Sequence, residues 1–187
     1  GEKILESGTV QGTSLASMGD VRTNKWSVGE QGVLASLGFT SDVSSSRILS
    51  YIDSSSSGVL ALAADRTETL DMSSHTSLFI GALEGTEVHY GSADTALGTN
   101  AAGQWLLGGG GGSLYVDSLL EGENRQLVIG NSYGTGKVVL TNAANTASGT
   151  IMFGGGVTLD YTEGALGNLH FDLSYTNASY YTEGGSR

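Results

Sequence analysis

Residues 126–167, QLVIGNSYGTGKVVLTNAANTASGTIMFGGGVTLDYTEGALG, decide how this chain is read. Apolar residues come in short runs, around Leu127 and Ile129, Val138 and Leu140, Ile151 and Phe153, Val157 and Leu159. Glycine, asparagine, serine and threonine divide the runs. Runs of this length with a period near two fit short strands, whereas an amphipathic helix needs apolar residues at i, i+3, i+4 and i+7 without interruption. The small polar residues between them are turn formers.

The same signature extends outward along the chain. Strand windows fall at residues 33–37, 58–62, 77–80, 87–90, 104–107 and 113–116, and then at 126–129, 137–140, 150–153, 157–161 and 169–173. Starts spaced by about 8 to 12 residues with turn signals between them indicate an all-β protein. Two architectures compete. A β-sandwich calls for longer strands and hairpin dipeptides such as Asn-Gly or Asp-Gly, and neither dipeptide occurs here. A β-solenoid calls for short strands, small residues at corners, and side chains that stack on the equivalent positions of the next coil. Gly58-Val59-Leu60, Gly112-Ser113-Leu114, Gly136-Lys137-Val138 and Gly156-Val157-Thr158 share a glycine followed by a strand, an irregular repeat that favours the solenoid, with the sandwich as the alternative. Residues 1–57 read as a less regular part of the same solenoid, with the serine clusters at 44–46 and 54–57 as loops. Residues 58–187 read as its more regular part, with the clearest repeat at 126–167.

Composition narrows the function. The 187 residues suit one domain or a slice of an elongated one, and include 30 glycines, no proline and no cysteine. Disulfides and thiolate metal sites are therefore excluded, and a cysteine-free chain is compatible with export across a bacterial envelope. Eight Lys and Arg against nineteen Asp and Glu give a net charge of −11, with a pI near 4.4, which opposes a nucleic-acid role. With only 14% charged residues the surface is built from Ser, Thr, Asn and Gly, as in secreted repetitive β proteins. No run is long enough to span a membrane, and Gly1-Glu2-Lys3-Ile4-Leu5 is not a signal peptide, so for an exported protein the signal and any anchor lie elsewhere.

The chemical motifs read weakly. Gly134-Thr135-Gly136-Lys137 and the glycine run at 108–112 suggest a phosphate loop. However, Asn131 stands where the first glycine of that motif belongs, Val138 stands where Ser or Thr belongs, and Lys137 opens a strand. Asp160 with Glu163, and Asp65 with Glu68, could pair oxygens around a cation but read as solvated turn residues. His75, His89 and His170 show no metal-ligand spacing, and His89 and His170 fall in strand windows. A polysaccharide-degrading β-helix would gather acidic residues with Arg66, Arg125 or Lys137 in one groove. Trp26, Trp105, Tyr115, Tyr161, Tyr175, Tyr180 and Tyr181 could line a sugar-binding face, or cap the ends of the coil interior. Asn177-Ala178-Ser179 matches a glycosylation sequon and reads as a turn.

Taken in order, Thr135-Gly136-Lys137-Val138-Val139-Leu140-Thr141-Asn142, Asn145-Thr146, Ser148-Gly149-Thr150 and Gly164-Ala165-Leu166-Gly167 resemble the autotransporter-associated β-strand repeat of bacterial autotransporter passengers and related giant surface proteins. Ala147 departs from that pattern, which usually has tyrosine there. The resemblance implies a right-handed parallel β-helix at the bacterial cell surface or outside the cell, beyond the outer membrane, with a structural or adhesive role and no catalysis. On this reading no catalytic, cofactor-binding or metal-ligating residue is assigned and no cofactor is expected. The expected partners are the protein itself, end to end or side by side, a host or neighbouring cell surface, or glycans. A self-assembling filament module and a polysaccharide-degrading enzyme are the alternatives.

Overall fold

The computed structural model describes residues 1–22, 24–172 and 174, together with the backbone of 182–183. Its strands are β1 (Lys3–Gly12), β2 (Trp26–Ser36), β3 (Val59–Leu62), β4 (Phe79–Ala82), β5 (Glu87–Tyr90), β6 (Gln104–Leu107), β7 (Ser113–Val116), β8 (Arg125–Ile129), β9 (Thr135–Leu140), β10 (Ser148–Phe153), β11 (Gly156–Tyr161), β12 (Asn168–Phe171) and β13 (Thr182–Glu183). A short α-helix, α1 (Ser45–Leu49), and two 3-10 turns, Ala16–Met18 and Met72–Ser74, interrupt them. Two sheets result, with orders β1-β2-β3-β4-β6-β8-β10-β12 and β13-β11-β9-β7-β5. Every strand pairing is parallel. From β4 onward the chain visits the two sheets alternately, so each strand lies on its counterpart one coil earlier. This is a β-solenoid and not a sandwich.

Register fixes what faces inward. In the longer sheet Leu60, Ile80, Leu107, Ile129 and Phe153 form one continuous ladder, and Trp105, Leu127, Ile151 and Phe171 another. In the shorter sheet Val88, Leu114, Val138 and Leu159 align, as do Tyr90, Val116, Leu140 and Tyr161. Alternation along each strand places these residues on one face, and nearly all of them belong to a single buried cluster. Coil length varies: the offsets are 20 residues from Val59 to Phe79, 27 from Ile80 to Leu107, 22 from Leu107 to Ile129, 24 from Ile129 to Phe153 and 20 from Ile151 to Phe171. The corners absorb the difference while the strands keep register, which is why the repeat is loose in sequence.

Buried polar groups join the coils on the third side. Asn145 accepts a hydrogen bond from the Leu120 amide through Oδ1 (2.7 Å) and donates from Nδ2 to the Ala165 carbonyl (2.7 Å), tying three successive coils with one side chain. Asn142 donates from Nδ2 to the carbonyls of Ala93 (3.1 Å) and Asp117 (3.2 Å). Such groups are retained inside because both their donor and acceptor atoms are satisfied.

The N-terminal part differs in build. β1 and β2 are ten and eleven residues long, longer than the 33–37 window indicates. β1 escapes the sequence reading because charged and glycine residues break its apolar alternation. Between Leu5 and Ser7 the register slips against Val28 and Gln31. A bulge combined with Glu2, Lys3 and Glu6 is a device that blunts an exposed sheet edge. The serine cluster expected as a loop at 44–46 instead starts α1: Ser44 is its N-cap, with Oγ accepting from the Arg47 amide (3.3 Å). Phe39, Ile48, Leu49, Tyr51 and Ile52 of this excursion are buried with the interior cluster.

Candidate functional site

The expected cationic residues are not gathered in one place. Arg66 pairs in register with Tyr90 and so heads an inward ladder. Its side chain is 0% exposed, and its guanidinium donates to the carbonyls of Thr40 (Nη1, 2.6 Å), Val43 (Nη2, 2.9 Å) and Glu68 (Nε, 3.3 Å). Burial pulls its pKa down, and the Glu68 carboxylate, 3.9 Å away, opposes that shift. Arg66 thus pins the 37–57 excursion over the first rung of the shorter sheet. Arg125 begins β8 in the longer sheet, with Nε on the Glu121 carbonyl at 3.4 Å. Lys137 lies in β9 of the shorter sheet, and its amide donates to Gly112 in a rung-to-rung bond (2.9 Å).

The acidic residues are likewise committed locally. Asp65 Oδ1 accepts from the His89 amide (2.8 Å), Glu68 Oε1 from the Ser45 amide (3.2 Å), and Asp160 Oδ1 from the Tyr161 amide (2.8 Å). Asp53 and Asp71 close turns, and hydrogen bonds from Ser55 and Ser73 hold their carboxyls below the usual range. Among the described residues no group of three or more His, Asp or Glu side chains converges to hold a metal ion.

One outward ladder of the shorter sheet carries chemistry that sequence reading did not assemble. Asp65, His89, Tyr115, Val139 and Asp160 stand in register on successive rungs. The His89 and Tyr115 rings stack with centroids 4.8 Å apart and planes 23° from parallel. His89 Nδ1 meets Asp117 Oδ2 at 2.8 Å, and Thr141 Oγ1 donates to Asp117 Oδ1 at 2.6 Å. The imidazole is therefore held through Nδ1 on a half-exposed side chain. His89 and Asp117 are 28 residues apart, a separation meaningful only once coil length is known. Bonded to a carboxylate and stacked on a phenol ring, the imidazole forms part of a fixed polar edge.

The remaining candidates take structural places. Trp105 is buried, with Nε1 donating to the Leu97 carbonyl (2.9 Å). Trp26 donates to the Met18 carbonyl (3.2 Å) beneath Lys3 Nζ, 5.9 Å from its ring. Tyr161 packs against the interior cluster. His75 is buried, with Nε2 on the Ile52 carbonyl (3.0 Å), while its Nδ1 is without a hydrogen-bond partner; His170 is exposed on β12. The phosphate-loop reading of Gly136-Lys137 fails structurally too, because Gly136 packs on the Gly112 carbonyl inside the sheet. Tyr175, Tyr180, Tyr181 and the sequon at Asn177 lie outside the described residues.

Fold and surface together define a parallel β-solenoid with locally committed charged groups. No family model matches the chain, and comparisons with curated proteins and with solved structures found no match.

Proposed function

We propose that this chain is a non-catalytic β-solenoid module of a bacterial surface-displayed or secreted protein of the autotransporter type, serving as a stalk or adhesive surface. The observation that carries this reading is the dispersal of Arg66, Arg125 and Lys137 over separate places, with the acidic groups spent on turns and rung-to-rung bonds. The resemblance of residues 126–167 to passenger repeats supports the location, and that segment spans β8 to β11, two successive rungs of each sheet. The bulged, charged edge of β1 speaks against simple strand addition there, and hence against the filament alternative.

Light scattering across a concentration series, paired with a product assay on a panel of acidic and neutral polysaccharides, tests the proposal. A mass that stays monomeric, with no new reducing ends or unsaturated products, is the expected result. Ordered oligomers growing with concentration would move the function to self-assembly, and product release would make the protein an enzyme.

A further inference from the structure

The outer face of the longer sheet holds a second apolar cluster, separate from the interior, made of Ala35, Val59, Ala61, Phe79 and Leu83. Two segments cross it. In the glycine tract at 108–112, Gly109 lies so close to Val59 that a Cβ would stand 2.6 Å from its Cγ2. Gly110, at φ +84°, leaves no room for a Cβ, which would stand 2.5 Å from the Ala82 carbonyl oxygen. The second segment is the corner after β8. Asn131 Nδ2 donates to the carbonyls of Glu30 (2.8 Å) and Ser57 (3.3 Å), and its Oδ1 accepts from the Tyr133 amide (3.1 Å). The Gly111 amide donates to the Thr135 carbonyl (3.1 Å), joining the two segments.

Between these segments and strands β1 to β3 a groove remains. Val33 gives it a half-buried apolar wall, Val59 is almost wholly buried beneath Gly109, and Glu30, Gln31, Glu84 and Tyr133 are among its other lining residues. It contains two carboxylates and no Lys, Arg or His. Tyr133 is 53% exposed, one of three large apolar side chains left so among the described residues. Its backbone is fixed by Asn131, so the ring is offered to solvent from an anchored corner.

We propose that this groove recognises a cationic side chain, the guanidinium or ammonium of an arginine or lysine on a partner polypeptide. Charge complementarity selects the occupant: two glutamates with no cationic neighbour in the lining attract a cation and repel an anion. The aliphatic stem of arginine or lysine covers Val33 while its head reaches toward the carboxylates. Tyr133 adds a ring on which a guanidinium can rest. The groove is independent of where the protein resides, so a stalk without this specificity would still be a stalk.

The test is calorimetric titration of the full chain at low salt with the capped peptide Gly-Val-Arg-Val-Gly, beside the same peptide carrying glutamine for arginine. The arginine peptide is expected to bind about fivefold more tightly than its glutamine twin, and the preference shrinks at high salt. The double variant Glu30→Gln with Glu84→Gln, and separately Tyr133→Ala, weaken the arginine peptide by about threefold or more, while Glu121→Gln leaves it unchanged. All these side chains are exposed, and the peptide comparison needs no variant. Equal binding of both peptides, absence of any titration, or an unaltered double variant would each overturn the proposal. So would a neutral oligosaccharide that competes for the groove with the carboxylates replaced.

Discussion

Arg66 is the residue whose role depends most on its surroundings. In sequence it is one of a few cations available to an active site. In the fold it stands inside the solenoid, in register with Tyr90, and its charge is met by three carbonyls. Tyr90 beside it is fully buried, its hydroxyl accepts from the Leu70 amide (2.7 Å), and burial pushes its phenol pKa up. Replacing Arg66 removes several charge-assisted hydrogen bonds and leaves buried carbonyls unpaired, a cost of about 3 kcal/mol. Arg66→Met should lower the unfolding free energy from denaturant titration by that margin and speed proteolysis within residues 37–57. A change below about 0.5 kcal/mol, the level of an ordinary surface substitution, would show that the excursion is held by its apolar residues alone. The His89–Asp117 contact teaches the same lesson at this scale: both residues are plain in the sequence, and only the coil length of this region makes them neighbours.

Elements divide by how local their cause is. Strands β5, β6 and β7 fall within windows read from alternation, because a four-residue strand with one buried face is specified by its own residues, while β3 lies within the 58–62 window but is buried on both faces. α1 was hidden because five residues carry too little periodicity and its start rests on one serine cap. Long β1 was hidden because its pairing with β2, and not its own pattern, makes it a strand. Close stacking also makes particular glycines obligatory. At Gly149, φ is +138° and a Cβ would lie 1.8 Å from the Arg125 carbonyl oxygen on the neighbouring rung. Gly149→Ala should therefore cost about 3 kcal/mol or more by forcing β10 away from β8. Gly98 has open space around its Cβ position and no positive φ, so Gly98→Ala should be neutral or stabilising by up to about 1 kcal/mol. Thermal unfolding of the pair checks both, and equal effects would contradict the packing argument.

For the whole molecule, stability is close to a sum over neighbouring coils, each burying the next. The net charge of −11 works against that compaction. The Arg22–Asp20, Arg66–Glu68 and His89–Asp117 contacts each involve at least one side chain that is about half exposed or more. Screening should therefore relieve more repulsion than it removes attraction. Raising sodium chloride from about 0.02 M to about 0.5 M is expected to raise the unfolding temperature by a few degrees, and a fall would mean that specific ion pairs outweigh the global charge. Asn131, bonded to Glu30 101 residues earlier and to Ser57 74 residues earlier, adds a tie beyond adjacent coils.

The sequence by itself determined an all-β chain of short strands with glycine and asparagine corners, strongly acidic and without cysteine, because alternation, turn chemistry and charge are local or summed properties. Tertiary structure decided which residues meet. Corner lengths set each coil between 20 and 27 residues, and that variable offset seats Arg66 inside, lays His89 on Tyr115 and carries Tyr133 to the rim of an acidic groove. The physical reason is that parallel stacking ties every side chain to the position one coil away, and the distance along the chain to that position is written in no local pattern.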